Sequence, residues 1–120
     1  MAWLLVVLFG ALGAVVRYLL DRSIMRHLNT DFPVGTLMIN LSGALALGIV
    51  VGLATRNLLP TQDAVAIGDG FIGAYTTFST LTFESLSLAN TESFGLGALN
   101  MVGTIVAATI LAYLGIHIVQ

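Results

Sequence analysis

Four long apolar stretches, separated by short polar segments, dominate the pattern of this chain. They cover residues 2–20, 34–53, 62–89 and 94–119, with polar residues gathered at 21–32, 55–61 and 90–93. Each stretch offers the roughly 20 residues that a helix needs to cross a bilayer core about 30 Å thick. The pattern predicts an all-α membrane protein, with four transmembrane helices forming a single domain over residues 1–120.

The third stretch differs from the others because it is interrupted. Residues 73–82, GAYTTFSTLT, carry five Ser or Thr hydroxyls and one Tyr hydroxyl. In hydrocarbon every backbone N–H and C=O needs a partner, so a broken helix survives only where it is buried in protein or lines a cavity. We therefore predict that the third helix is broken mid-membrane, and that its hydroxyls mark an ion or substrate site.

Composition supports a membrane protein and excludes several other classes. The chain is 58% hydrophobic, 8% charged and free of cysteine, with a net charge of −2. These charges are too few to cover a water-facing surface or to favour nucleic acid, and thiolate metal sites and disulfides are excluded. We expect no enzyme, since no nucleophile–base pair, metal cluster or cofactor loop can be assembled. The first stretch lacks a preceding basic segment, so we expect a retained span rather than a signal peptide.

Charge gives only a weak signal for the orientation of the four helices. Arg22, Arg26 and, marginally, Arg17 belong to one side of the membrane, and Arg56 belongs to the other. Basic residues normally favour the cytoplasmic side. Because the bias here is small, the chain is predicted to insert in both orientations, and two opposed copies would pair across a two-fold axis in the membrane plane.

Three motifs, one in each of the first three apolar stretches and in the expected order, resemble the Fluc/CrcB fluoride channels, and the resemblance covers essentially the whole chain. They are residues 10–18 (GALGAVVRY), residues 35–40 (GTLMIN) with Gly43, and residues 70–80 (GFIGAYTTFST) with Glu84. The threonine-rich run that follows G-x-x-G is the most specific of the three. The resemblance implies an antiparallel, dual-topology dimer in the cell inner (plasma) membrane, with two narrow pathways for passive fluoride efflux that confers fluoride resistance.

The resemblance also implies particular site residues. A structural sodium ion at the dimer centre would be held by the backbone carbonyls of Gly73 and Thr76. Fluoride holds its water tightly, so a pathway must offer replacement donors: an amide N–H from Asn40, the positive ring edge of Phe78, and hydroxyls. The expected pathway residues are Asn40, Phe78, Thr36, Thr77, Ser79, Thr80, Leu81, Glu84, Asn100 and Thr104. Arg17 would either attract anions into a vestibule or anchor the end of its helix.

Departures from the family pattern leave a second interpretation open. Leu81 stands where the family commonly has a second phenylalanine, Asn100 stands where an aromatic residue often lies near the pathway, and Asp69 is an unexpected acid. The chain is therefore either a homodimeric channel or one subunit of a heterodimer whose pathway wall is partly lost. A small proton-coupled drug exporter is disfavoured, since the first helix has no membrane-embedded glutamate.

Structural roles compete with the pathway roles at several positions. The alternative role for Asn40 is a hydrogen bond to a neighbouring helix, as buried asparagines in membranes make. The hydroxyls of Thr76, Thr77, Ser79 and Thr80 have the alternative of bonding to their own helix. Glu84 is either a pathway or gating residue or an acid hydrogen-bonded to hydroxyls.

Overall fold

Helices account for nearly the whole chain. The computed structural model describes the backbone of residues 1–120 and the side chains of all of them except Ala2. The helices are α1 (Ala2–His27), α2 (Val34–Thr55), α3 (Thr61–Val65), a π-helix (Ala66–Ile72), α4 (Gly73–Tyr75), α5 (Phe78–Thr91) and α6 (Phe94–Ile118). The described residues form no strand, and the predicted all-α class is confirmed.

Three of these helices are long and apolar enough to cross a membrane unaided. They are Trp3–His27, Val34–Thr55 and Phe94–Ile118. The fourth crossing is assembled from α3, the π-helix, α4 and α5, which follow one another between residues 61 and 91. Large apolar side chains such as Trp3 and Phe94 are more than four-fifths exposed on the protomer, as expected where lipid replaces water. The chain is thus a multi-pass membrane protein with a broken third helix.

Helix α1 continues beyond the apolar stretch that predicts it. The stretch ends near residue 20, whereas the helix runs unbroken to His27, and extended backbone begins at Leu28. Residues 21–27 contain no glycine or proline to stop a helix. Arg26 and His27 lie in the last turn, where cations stabilise the negative end of the helix dipole. The polar segment is therefore largely an extension of the first helix.

The break in the third helix is narrower than its sequence suggests. Only Thr76 and Thr77 have extended backbone, while residues 73–75 and 78–82 are helical. The hydroxyl of Thr77 accepts a hydrogen bond from the N–H of Thr80 at 3.2 Å and so caps α5. This N-cap lets the new helix begin at Phe78. Gly73, a predicted sodium ligand, lies three residues before the break.

Close packing of α2 against α6 forms the largest helix interface. At Gly48, a β-carbon would collide with the carbonyl of Ala112, so only glycine allows this approach. Small residues serve this purpose in membranes, where helices associate through packing rather than through exclusion of water. On the other side of the bundle, α1 packs mainly against the π-helix. The first half of the broken helix therefore packs mainly on α1, whereas its second half, α5, packs mainly on α6.

Candidate functional site

A pair of hydrogen bonds from Asn40 holds the break of the third helix. The side-chain amide of Asn40 donates to the carbonyl of Thr77 at 3.0 Å, and the N–H of Thr77 donates to Asn40 Oδ1 at 2.8 Å. Both residues are buried, with 8% and 9% of their surfaces exposed. The amide group thus replaces the partners that the broken backbone has lost. Because the amide nitrogen has two hydrogens, one donor is left for another ligand.

The same bonds change what the carbonyl of Gly73 can bind. In a continuous α-helix this carbonyl would accept from the N–H of Thr77, four residues on. That N–H donates to Asn40 instead. Thr76, in contrast, is tied back to its own helix, since its N–H and its hydroxyl both donate to the carbonyl of Ile72, at 2.9 Å and 3.0 Å. The break therefore leaves the carbonyl of Gly73 without its ordinary helical partner.

A groove on the protomer surface brings several of the predicted pathway residues together. It has a volume of about 430 Å³ and lies between α2, the break and α6. Of the predicted pathway residues, those that line it are Asn40, Thr77, Phe78, Leu81 and Thr104. Thr76, a predicted sodium ligand, also lines it. We call this feature the groove.

The ring of Phe78 and the side chain of Leu81 occupy the groove differently. Phe78 is 67% exposed, so its ring stands free of the protomer core. Leu81 is only 3% exposed and forms part of the buried wall. The hydroxyl of Thr104 is buried in the same groove and has no hydrogen-bond partner among the described residues. The Thr104 hydroxyl is therefore an unused hydrogen-bonding group just behind the surface of the groove, and leaving such a group unpaired is costly.

A second opening, lined by carboxylates, lies beyond the groove. It has a volume of about 480 Å³, and its acids are Asp21, Asp31, Glu84 and Glu92. We call it the acidic opening. At its wall, Glu84 Oε1 accepts a hydrogen bond from the hydroxyl of Thr36 at 3.0 Å, while Oε2 is buried without a partner in the described part of the chain. Glu84 is therefore hydrogen-bonded to a hydroxyl, one of the two arrangements expected for it.

Thr36 connects the two openings along α2. It lies one helical turn from Asn40, on the same face, and it is 3% exposed. On the facing helix α5, the hydroxyl of Thr77 donates to that of Thr80 at 3.0 Å, and Glu84 follows one turn later. Hydroxyl, amide and carboxylate groups therefore continue from the groove to the acidic opening between α2 and α5.

Three predicted site residues lie apart from this series. Asn100 is 3% exposed, and its amide donates to the Ser85 hydroxyl at 2.8 Å inside the contact between α5 and α6. Ser79 is exposed, with its hydroxyl 3.4 Å from that of Thr77. Arg17 is half-buried in α1 and lines neither the groove nor the acidic opening. Their predicted roles, like those of the other site residues, stay predictions.

Sequence reasoning missed two features of this region. The hydroxyls of Tyr75 and Ser42 lie 2.9 Å apart and join the end of α4 to α2 beside the break. The second feature is the acidic opening itself, because Asp21 and Asp31 come from one polar segment, residues 21–32, and Glu92 comes from another, residues 90–93. Their positions at the ends of predicted helices were the available signal, although nothing in their spacing indicates that they meet.

Comparison with known proteins identifies the family. The sequence profile described as CrcB-like protein, Camphor Resistance (CrcB), matches residues 4–116. This chain belongs to the CrcB family. The fluoride-specific ion channel FluC 2 of Mycobacterium tuberculosis (strain CDC 1551 / Oshkosh) is 42% identical over 118 residues, which are 98% of this chain and 90% of that protein.

Two further relatives come from other bacteria. The fluoride-specific ion channel FluC of Pseudoalteromonas translucida is 38% identical over 117 residues, covering 97% of this chain and 98% of that protein. The protein of the same name from Magnetococcus marinus is 40% identical over 116 residues, covering 96% of this chain and 93% of the relative. The matches span all four crossings of this CrcB protein, and membership of a bacterial ion-channel family places it in the plasma membrane.

Proposed function

We propose that this CrcB protein forms a passive, fluoride-selective channel that lets fluoride leave the cell and so confers fluoride resistance. The observation that carries the proposal is the paired hydrogen bond between Asn40 and Thr77, which leaves one amide N–H beside the groove. The names of the relatives, all fluoride-specific ion channels, point to the same ion.

The chemistry of the groove and the series beyond it suits a small, strongly hydrated anion. Neutral donors replace water around the ion: the free amide hydrogen of Asn40, the unpaired hydroxyl of Thr104 and the ring edge of Phe78. No arginine, lysine or histidine lines the groove among the described residues. A fixed cation would bind fluoride too tightly, and conduction requires that the ion leave. Transport by such a pathway is passive.

The proposed assembly is an antiparallel dimer of two identical subunits with opposite orientations. It is supported by the position of the groove, which is open along one side of the protomer, and by the exposed ring of Phe78. A second copy laid over this side would enclose the groove and turn it into a pathway. Each subunit would then contribute one of two equivalent pathways.

A structural sodium ion belongs to this proposal, and the break fits it. Sodium is commonly coordinated by carbonyls of unwound helix backbone. The carbonyl of Gly73 has lost its ordinary helical partner, and that of Thr76 lies in extended backbone. These two carbonyls would hold the ion. The positive charge of the sodium ion would balance the negative ends of the carbonyl dipoles that meet at the dimer centre.

The decisive experiment is fluoride efflux from liposomes that contain this polypeptide alone, recorded with a fluoride electrode beside a chloride control. We expect fast efflux of fluoride and none of chloride. Asn40→Asp and Phe78→Ile should remove most of the flux, because the first loses the amide donor and the second loses the ring edge. Asn90→Asp and Phe94→Ile, which change exposed residues of the same types, are the matched controls.

A second candidate is a subunit that conducts only with a different partner chain. Two observations favour it: Leu81 supplies no ring edge to the groove, and the amide of Asn100 is bonded to Ser85 and does not line the groove. Efflux by the polypeptide alone excludes this candidate. A folded dimer without efflux excludes the self-sufficient channel and supports the heteromeric one.

A further inference from the structure

A stripe of one aromatic and two basic residues runs along the last turns of α1. Tyr18, Arg22 and Arg26 are spaced four residues apart and therefore share one face of the helix. All three are exposed, and together with Asp21 and Met25 they line a shallow opening of about 450 Å³. We call these three residues the basic stripe.

The length of α1 places the basic stripe at the membrane surface. A helix rises 1.5 Å per residue, so the apolar part from Trp3 to Leu20 is about 27 Å long, close to the bilayer core. Tyr18 stands at the end of that part, where aromatic rings favour the interface. Arg22 and Arg26 follow at about 6 Å and 12 Å farther along the axis, the depth at which lipid phosphates lie.

The first guanidinium of the stripe is already held in position. Arg22 Nη1 donates to the hydroxyl of Tyr18 at 2.6 Å, and the guanidinium carbon lies 5.9 Å from the centre of the same ring. Helical side chains point back toward the N-terminus, so this contact aims the charge toward the membrane. Arginine has further N–H groups beyond the one used here. A phosphate between Arg22 and Arg26 would accept hydrogen bonds from the N–H groups of two guanidinium side chains.

One carboxylate, that of Asp21, shares the shallow opening with the stripe and also contacts α2. Asp21 is half-buried, and its Oδ1 packs against Gly35 of α2. The same residue lines the acidic opening on the inner side of the bundle. The two arginines of the shallow opening outnumber its one carboxylate, so its lining carries a net charge of +1.

We propose that the basic stripe binds the phosphate of an anionic phospholipid headgroup, such as phosphatidylglycerol. The site is independent of the fluoride pathway, since none of its three residues lines the groove. Charge complementarity selects the occupant: two outward arginines at phosphate depth favour an anionic lipid over a zwitterionic one, each contributing through its attraction to the negative headgroup.

Native mass spectrometry of the intact protein in detergent tests the proposal, with phosphatidylglycerol or phosphatidylcholine added at matched concentrations. We expect wild type to retain phosphatidylglycerol in preference to phosphatidylcholine. In the double variant Arg22→Gln with Arg26→Gln, this preference should decrease about fivefold for each arginine removed. Arg56→Gln, at the opposite end of the bundle, is the matched control and should keep it. Arg22→Lys with Arg26→Lys should keep most of the preference and shows that changes at these positions are tolerated.

Three outcomes would overturn the assignment. Equal retention of the two lipids by wild type excludes an anionic-lipid site, and an undiminished preference in the double glutamine variant places the site elsewhere. Competition by inorganic phosphate that removes the preference at equal concentration would show a site for a free anion rather than for a lipid. Near 1 M salt, where the field of surface charges is screened, fluoride efflux of the double glutamine variant in neutral liposomes should match wild type, which separates this proposal from the channel function.

Discussion

At the scale of single residues, the break depends on polar contacts that each join one side chain to a neighbouring segment. Asn40 replaces two backbone partners of Thr77, and the hydroxyls of Tyr75 and Ser42 tie the preceding turn to α2 at 2.9 Å. Ser42 also donates to the carbonyl of Ile39 at 3.1 Å, so its own donor is used. It follows that Tyr75 donates to Ser42, and that this bond holds α4 in place beside the break.

Tyr75→Phe should therefore weaken the protein slightly without changing the buried volume. The lost hydrogen bond predicts a decrease in unfolding free energy of about 0.5 to 1 kcal/mol, within the range for such bonds in membranes. Denaturation in mixed micelles, followed by circular dichroism, measures it. Tyr113→Phe, whose ring is 60% exposed on α6, is the control. Equal effects of the two substitutions would show that the Tyr75–Ser42 bond contributes nothing specific.

At the scale of helices, the break is shaped by how closely α2 can approach it. Gly43 is buried against the side chains of Thr76 and Tyr75, and a β-carbon there would collide with the Thr76 methyl group. The broken helix and α2 therefore fit together only while position 43 has no side chain. The motif analysis singled out this glycine, but the partner that requires it became visible only in the fold.

Gly43→Ala should push Thr76 away from α2 and disturb the pairing of Asn40 with Thr77. Overpacking of this kind lowers the unfolding free energy by about 1 to 3 kcal/mol, and we expect fluoride efflux to fall strongly in parallel. Gly95→Ala provides the control, because a β-carbon at Gly95 meets no atom within 4 Å. Wild-type efflux in Gly43→Ala would mean that the groove tolerates a shifted break.

At the scale of the whole molecule, charge is distributed unevenly around the ends of the bundle. Four acids converge on the acidic opening: Asp21 from α1, Asp31 from the loop after α1, Glu84 from α5, and Glu92 from the C-terminal end of α5. Fixed carboxylates lower the local concentration of anions, and the effect weakens as salt screens it. An acidic mouth would thus restrain an anion channel rather than assist it.

Neutralising the two outer acids should increase fluoride flux at low ionic strength. For the double variant Asp31→Asn with Glu92→Gln, we expect fluoride flux to rise about twofold in 10 mM salt. The rise should disappear near 1 M salt, where the screening length falls to about 3 Å. Asp63→Asn, in the first turn of α3, tests whether any surface acid has the same effect. A rise that persists at high salt would point to a local structural cause instead of the field of the opening.

The orientation of the whole molecule gives a further prediction. The weak bias of basic residues favours insertion in both directions, and the chain has no native cysteine. Asn29→Cys, in the loop after α1, should react with a membrane-impermeant maleimide in two populations, one labelled from each side. Leu58→Cys, in the next loop, should show the reverse distribution. Labelling of each position from a single side would contradict dual topology and, with it, the antiparallel dimer.

Much of the architecture follows from the sequence alone. Long apolar stretches cannot remain in water, and in lipid a backbone must satisfy its own hydrogen bonds, so four helical crossings are required. The hydroxyl-rich run at residues 73–82 indicates a break for the same reason. The motif containing Asn40 and the run ending in Thr80 likewise indicate where the site lies.

The tertiary structure decided how that break is built and what surrounds it. The contact between Asn40 and Thr77 joins residues 37 positions apart, and no local periodicity specifies such a pair. Thr77 acts as a helix cap, which confines the break to two residues. Asn100 faces Ser85 because of the way α5 packs on α6. The acids of the opening meet only after the helix ends converge. Local propensity and hydrophobicity are encoded in neighbouring residues, whereas these contacts depend on packing between distant segments.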